Sequence, residues 1–282
     1  MVNHWPLTLL LGLGILAITS FTVSECQEFI DDPLVVCYFS SWAVYREEHG
    51  DGKGVFDVDS SRGYPGIPPD LCTHIVYGFT GLSNGTWKIE VLDPWNELCA
   101  DDPHCADYDH GPCNHCAFNR FIDLKKSNQD LVATVAVGGW NEGSEDYSMM
   151  AADPEKRQTF VDSVCELLER YGFDGLDFDW EYPGARGGNT EDHDNFIKLL
   201  DMLRARFDQY QPPKILTGAL AAGRQNIDQS YDPEGLQRNM DLFHIMAYDY
   251  HGAFENFTHH NAPLCQYPLD EGNMTWFNVV SK

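Results

Sequence analysis

Apolar and polar positions alternate along this chain on two length scales. Short, continuous apolar runs recur at Leu34-Val35-Val36-Cys37-Tyr38-Phe39, His74-Ile75-Val76-Tyr77-Gly78-Phe79, Val132-Ala133-Thr134-Val135-Ala136-Val137, Gly175-Leu176-Asp177-Phe178-Asp179, Ile215-Leu216-Thr217-Gly218-Ala219-Leu220 and Leu242-Phe243-His244-Ile245-Met246-Ala247. Runs without polar alternation predict strands covered on both faces. Between them, apolar residues recur at helical spacing. Asp153-Pro154 opens one such segment, with Asp as N-cap and Pro at the first position. Phe160, Val161, Val164, Leu167 and Leu168 form its apolar stripe, and Gly172 is its C-cap. A second helix is predicted from Asp192 to Tyr210, with Phe196, Leu199, Leu200, Leu203 and Phe207 on its apolar face. Repeated strand–helix units predict an α/β fold on a parallel sheet, either open and doubly wound or closed into a barrel. No Gly-rich phosphate loop follows the first strand, which weakens a nucleotide-binding reading. Six strands are visible, where a closed (β/α)8 barrel needs eight.

Composition narrows the partners of this scaffold. The 282 residues carry 18 Lys+Arg against 44 Asp+Glu, a net charge of −26. Nucleic acid is excluded as a partner, because phosphate neutralisation needs a basic face. The same sign argument disfavours adhesion to anionic membrane, and a neutral substrate fits better. Leu7 to Ile18 is an apolar run followed by the small residues Thr19-Ser20 and Thr22-Val23-Ser24. That order predicts a secretory signal peptide over residues 1–24, leaving 25–282 as one domain. The run falls short of the roughly 20 apolar residues a membrane span needs, and no other stretch could cross a bilayer.

Secretion permits disulfides, and sequons at Asn84, Asn256 and Asn273 suit an extracellular glycoprotein. Of nine cysteines, Cys99, Cys105, Cys113 and Cys116 crowd one segment together with His104, His110 and His115. Cys113-Asn114-His115-Cys116 has a zinc-like spacing, but an oxidising compartment favours two local disulfides over a metal. No metal or cofactor is expected. Cys165 lies in the helical stripe and reads as a small buried apolar residue. An odd total leaves at least one cysteine unpaired within the chain.

The chemistry concentrates in Phe173-Asp174-Gly175-Leu176-Asp177-Phe178-Asp179-Trp180-Glu181-Tyr182-Pro183-Gly184. Side chains alternate along a strand, so Asp177, Asp179 and Glu181 share one face, successive members about 6–7 Å apart at the backbone. Leu176, Phe178 and Trp180 then pack outward against helices. Asp174 has the wrong parity for the cluster and reads equally as a strand-start residue. Three carboxylates on a buried strand cannot all ionise cheaply, so at least one pKa is expected to rise. A fold does not need this arrangement, whereas acid catalysis at neutral pH does.

These residues resemble a known family. Asp174-x-x-Asp177-x-Asp179-x-Glu181 is similar to the DxxDxDxE signature of glycoside hydrolase family 18, the chitinases and chitinase-like proteins, most like those of animals and arthropods. Further stretches resemble family strands in the same order: Val36–Arg46 the first, Leu71–Phe79 the second, Gly138-Gly139-Trp140-Asn141 the turn after the third, and Met246-Ala247-Tyr248-Asp249-Tyr250-His251-Gly252 the sixth. The resemblance implies a (β/α)8 TIM barrel with its site at the C-terminal strand ends. It also implies retaining endo-hydrolysis of β-1,4-linked N-acetylglucosamine polymers without an enzyme nucleophile.

In that reading Glu181 protonates the glycosidic oxygen, the substrate's N-acetyl oxygen attacks C1, Asp179 orients the acetamide, and Asp177 shares its proton. Tyr248 hydrogen-bonds the acetamide, with Met246 and Asp249 beside it. Tyr38, Phe79, Trp95, Trp140 and Tyr182 match positions that line the cleft, where rings stack on sugar C–H surface. Cys37 and Cys72 match a family disulfide. The partner implied is chitin or its oligosaccharides, bound by a monomer. The chain departs from the family at Ala136, where serine is usual, and at Phe254, where many members carry Trp. It also ends at Lys282, after the sixth unit, so the resemblance implies that the last two strands and an α+β insertion are lacking, as in a fragment or truncated isoform with two unpaired sheet edges. Two other readings stand beside the hydrolase: a chitin-binding chitinase-like lectin and an endo-β-N-acetylglucosaminidase acting on glycoproteins.

Overall fold

A computed structural model describes residues 33–49, 54–107 and 113–281. The expected signal peptide, Cys26 and His110 lie outside the described residues. Among the described residues, seven strands form one sheet: β1 (Val36–Ser40), β2 (His74–Leu82), β3 (Ile89–Val91), β4 (Val132–Gly138), β5 (Gly175–Asp179), β6 (Ile215–Ala221) and β7 (Leu242–Met246). The order β1-β2-β4-β5-β6-β7 is parallel throughout, and β3 adds an antiparallel pairing to the end of β2. The six parallel strands curl into a half-barrel, an incomplete (β/α)8 barrel. Each apolar run became a strand, with ends shifted by up to three residues. The short β3 has no counterpart among the six predicted runs.

Helices cover the outer face. They are α1 (Pro94–Glu97), α2 (Ala117–Asp123), α3 (Glu145–Ala152), α4 (Pro154–Tyr171), α5 (Asp192–Phe207), α6 (Arg224–Ser230) and α7 (Pro233–Asn239). Asp153 caps α4 as expected, its carboxylate accepting from the amides of Glu155 and Lys156, and Gly172 ends it in the left-handed region. The second predicted helix stops at Phe207 rather than Tyr210. Beyond it lies the Pro212-Pro213 pair, and proline cannot continue a helix. The core fills the space between helices and sheet with Phe118, Phe121, Phe160, Phe178, Phe196 and Phe207, all buried.

One expectation needs correction. Leu242–Ala247 was predicted to be covered on both faces, but Phe243 and Ile245 of β7 are exposed, while Leu242, His244 and Met246 alternate with them. Among the described residues, the segment after β7 forms loops and 3-10 turns and lays no α-helix over that face. The disulfides match the expectation of local pairing. Cys37–Cys72 joins β1 to the start of β2 (Cα–Cα 6.1 Å), and Cys99–Cys116 and Cys105–Cys113 staple the cysteine-rich segment. Cys165 is unpaired and buried, and Cys265 unpaired and exposed.

Candidate active site

All five residues of β5 are buried. Its outward side chains explain why the strand is held so firmly. Phe178 meets Phe160 and Phe196 with ring centroids at 5.9 and 5.3 Å, and Trp180 meets Phe196 at 5.4 Å. Ser144 anchors the turn that follows: its Oγ accepts from Trp180 Nε1 at 2.6 Å and donates to the Tyr182 carbonyl at 2.8 Å. Apolar packing outside therefore aims Asp177, Asp179 and Glu181 inward. Asp174 stays out of the cluster. It pairs with Lys125 and accepts from the Ala133 amide at 2.8 Å, which is the structural role its parity allowed.

The three carboxylates differ sharply in their surroundings. Asp177 is fully buried and saturated: Tyr38 Oη donates to it at 2.7 Å, Thr217 Oγ1 at 2.6 Å, and His244 Nδ1 lies 3.1 Å away. Asp179 is nearly as buried, yet no group among the described residues hydrogen-bonds its Oδ1. Burial, then the charges of Glu181 and Asp177, push its carboxyl up to about 8, so it holds a proton at neutral pH. Glu181 is also raised, first by burial. A hydrogen bond from Tyr182 and the Arg186 guanidinium oppose the rise, and Asp249 adds to it.

Gly138 gives these groups room. A Cβ there would lie 2.1 Å from the Asp179 carbonyl, and its φ of +112° is open mainly to glycine. Gly139 then donates its amide to that same carbonyl at 2.8 Å. The two glycines thus clamp the end of β4 onto the end of β5.

A cavity of about 270 Å³ opens over Asp179. Tyr38, Trp42, Phe79, His244, Met246 and Tyr248 line it. Trp42 stacks on Phe79 with planes 9° apart. Tyr248 is 53% exposed, and the cavity's Asp179 raises its phenol pKa together with partial burial, the larger cause. Of the other sequence candidates, Tyr182 sits half-buried beside Glu181, and Asp249 accepts from Asn261 Nδ2 at 2.8 Å with φ +55°. Trp140 and Asn141 are exposed beyond the cavity wall. Trp95 is not at the cavity either. It is held between Tyr45 and His115, with centroids at 5.7 and 3.7 Å. Asn84, Asn256 and Asn273 are all exposed.

Sequence reasoning missed Trp42, His244 and Arg186. His244 carried a signal: it shares parity with Leu242 and Met246 and so faces inward on β7. Arg186 carried none, because its partners Trp140 and Glu181 are distant in sequence or reached through their carbonyls.

Three kinds of comparison bear on this site. The family described as "Glycosyl hydrolases family 18" matches residues 34–281. The chain is 38% identical over 250 residues to "Probable chitinase 2" of Drosophila melanogaster, and 35% identical over 269 residues to "Endochitinase" of Manduca sexta. It covers 47% and 43% of their lengths, so it spans about half of each relative, while 89% and 95% of this chain is aligned. Among solved structures, it is similar to the Ostrinia furnacalis Group IV chitinase in complex with allosamidin (TM-score 0.74, 39% identity, 89% of this chain and 60% of that one). It is also similar to human YKL-39, described as a pseudo-chitinase with retained chitooligosaccharide binding properties (TM-score 0.69, 26% identity, 88% of this chain and 61% of that one).

Proposed function

The chain belongs to family 18 of the glycosyl hydrolases, and on that premise we propose that it is a chitinase that cleaves β-1,4-linked N-acetylglucosamine polymers internally with retention of configuration. The observation that carries this reading is the division of labour on one strand: a saturated Asp177, a protonated Asp179 with a free oxygen, and a raised Glu181 at the strand end. Glu181, whose carboxyl burial raises above its ordinary value, is the general acid toward the glycosidic oxygen. Asp179 faces the cavity, where its proton and free oxygen engage the substrate's acetamide as the acetamide oxygen attacks C1. Asp177 is held by Tyr38 and Thr217, so it stays in place while Asp179 exchanges partners. Tyr248, which also lines the cavity, donates to the acetamide, and Tyr38, Trp42 and Phe79 supply ring surface for the sugar. Glu181 then takes a proton from the attacking water.

Exposed sequons and local disulfides support an extracellular setting. The presence of Glu181 favours hydrolysis over lectin-like binding, because an acid is required to expel the leaving group. The test is hydrolysis of a fluorogenic chitotrioside by this chain beside Glu181→Gln. A Glu181-dependent rate lost by about 10²–10⁴-fold is expected; oligomer binding without turnover in the parent would replace this reading with the lectin one.

A further inference from the structure

Arg186 follows β5 in a turn whose shape is set without it. The buried Asp192 carboxylate accepts from the amides of Gly184 at 3.1 Å and Asn189 at 2.8 Å, and from Ser148 Oγ at 2.6 Å. On that frame Arg186 takes a left-handed φ of +50°, uncommon for a residue with a Cβ. Its guanidinium lies 3.6 Å over the Trp140 ring. Nη2 donates to the Trp140 carbonyl at 2.8 Å, and Nη1 to the Glu181 carbonyl at 2.9 Å. One planar fork therefore grips a ring and two carbonyls at once, which a lysine cannot do.

We propose that Arg186 is a positioning residue that holds Trp140 as a fixed platform for a saccharide ring and ties that platform to the backbone of the acid Glu181. The proposal rests on the saccharide reading of the preceding section. Trp140 stays 59% exposed with Arg186 in place, so the ring retains surface for a ligand. An exposed indole without this grip would lose rotamer freedom on binding, and fixing it beforehand lowers that cost.

The same guanidinium acts electrostatically on Glu181. The groups facing this end of the site are Asp179 on β5, Tyr182 in the turn itself, Tyr231 before α7, and Tyr248 and Asp249 after β7. Asp249 and burial raise Glu181, and Arg186 counters them. Charge and fork can thus be separated: Arg186→Lys keeps the first and loses the second, and Arg186→Ala loses both.

The test uses the full chain and these two variants, with circular dichroism to check that each is folded. Two readouts need no ligand. Acrylamide quenching of Trp140, assigned by difference from Trp140→Phe, is expected to increase in both variants. The Glu181 carboxyl titration, followed by carbon-13 NMR and assigned with Glu181→Gln, is expected to move up by about half a pH unit to one unit in Arg186→Ala and to return in Arg186→Lys. With chitooligosaccharides of five or six sugars, KM is expected to rise about 5–20-fold in both variants, with kcat changed less than about twofold near the parent optimum. Unchanged quenching in Arg186→Ala, or a loss confined to kcat, overturns the proposal while chitotrioside cleavage by the parent leaves the functional reading intact. A parent that neither binds nor cleaves chitooligosaccharides overturns that reading and the platform role together.

Discussion

β5 and β7 belong to one parallel sheet and bring polar groups to the same cavity, yet they are supported in opposite ways. β5 is buried along its whole length and backed by Phe160 and Phe196, which pack on its own Phe178. β7 only half-buries alternate positions and turns Phe243 and Ile245 to solvent. The acid Glu181 and its neighbours therefore rest on packing, whereas Tyr248 rests on a strand held from one side. The comparison teaches that side-chain chemistry alone does not rank the contributions of site residues. How firmly the backbone beneath them is held matters as much, because a misplaced donor loses its value quickly.

The largest effect should come from the backing of the two strands. Phe178→Ala is expected to destabilise by about 3–5 kcal/mol, since it empties a dense aromatic cluster, whereas Phe243→Ala should stay within about 1 kcal/mol. Urea unfolding of both variants measures the contrast, and comparable losses would mean that β7 is as well supported as β5.

A second effect distinguishes the strands by pH. The Asp179 carboxyl is raised from 3.8 to about 8 in the folded protein. Between those values the folded state holds a proton that the unfolded state has released, so stability declines as pH rises. That contribution is fully present below about 3.8 and gone above about 8. From pH 5 to pH 7 the decline from this group should be about 2–3 kcal/mol. Asp179→Asn should lose that part of the slope, measured as the difference in unfolding free energy between parent and variant at the two pH values. A parallel pH dependence in both would break the assignment.

The smallest effect concerns the open wall. Tyr248→Phe removes one donor on a half-exposed side chain, so kcat for a fluorogenic chitotrioside should fall about tenfold, well short of the Glu181→Gln loss. Equal losses would place Tyr248 on the same footing as the acid.

Much of this was legible beforehand, for identifiable reasons. The strands appeared as apolar runs because helices cover most of them, and Gly175–Asp179 was read with the bounds the structure gives. Strand parity was enough to put Asp177, Asp179 and Glu181 on one face and to leave Asp174 out. What stayed hidden depends on partners far apart in the chain. Nothing local to Tyr38 indicates that its hydroxyl reaches Asp177 rather than a ligand. Nothing local to Trp95 indicates that its ring sits between Tyr45 and His115. The exposed face of β7 was misread because an apolar run reports what could be covered, and coverage depends on where neighbouring elements lie.

The Tyr38–His244 contact has a further consequence. At 2.6 Å it joins side chains 206 residues apart, on the first and last strands of the sheet. A hydroxyl that orients Asp177 therefore meets its second partner only after nearly every intervening strand has been laid down. Contacts of such long range form late, because the loop they close is costly to order before the rest of the sheet exists. During synthesis the acid strand would leave the ribosome well before its full polar surroundings, and the cavity would acquire its working shape in one of the closing steps of folding.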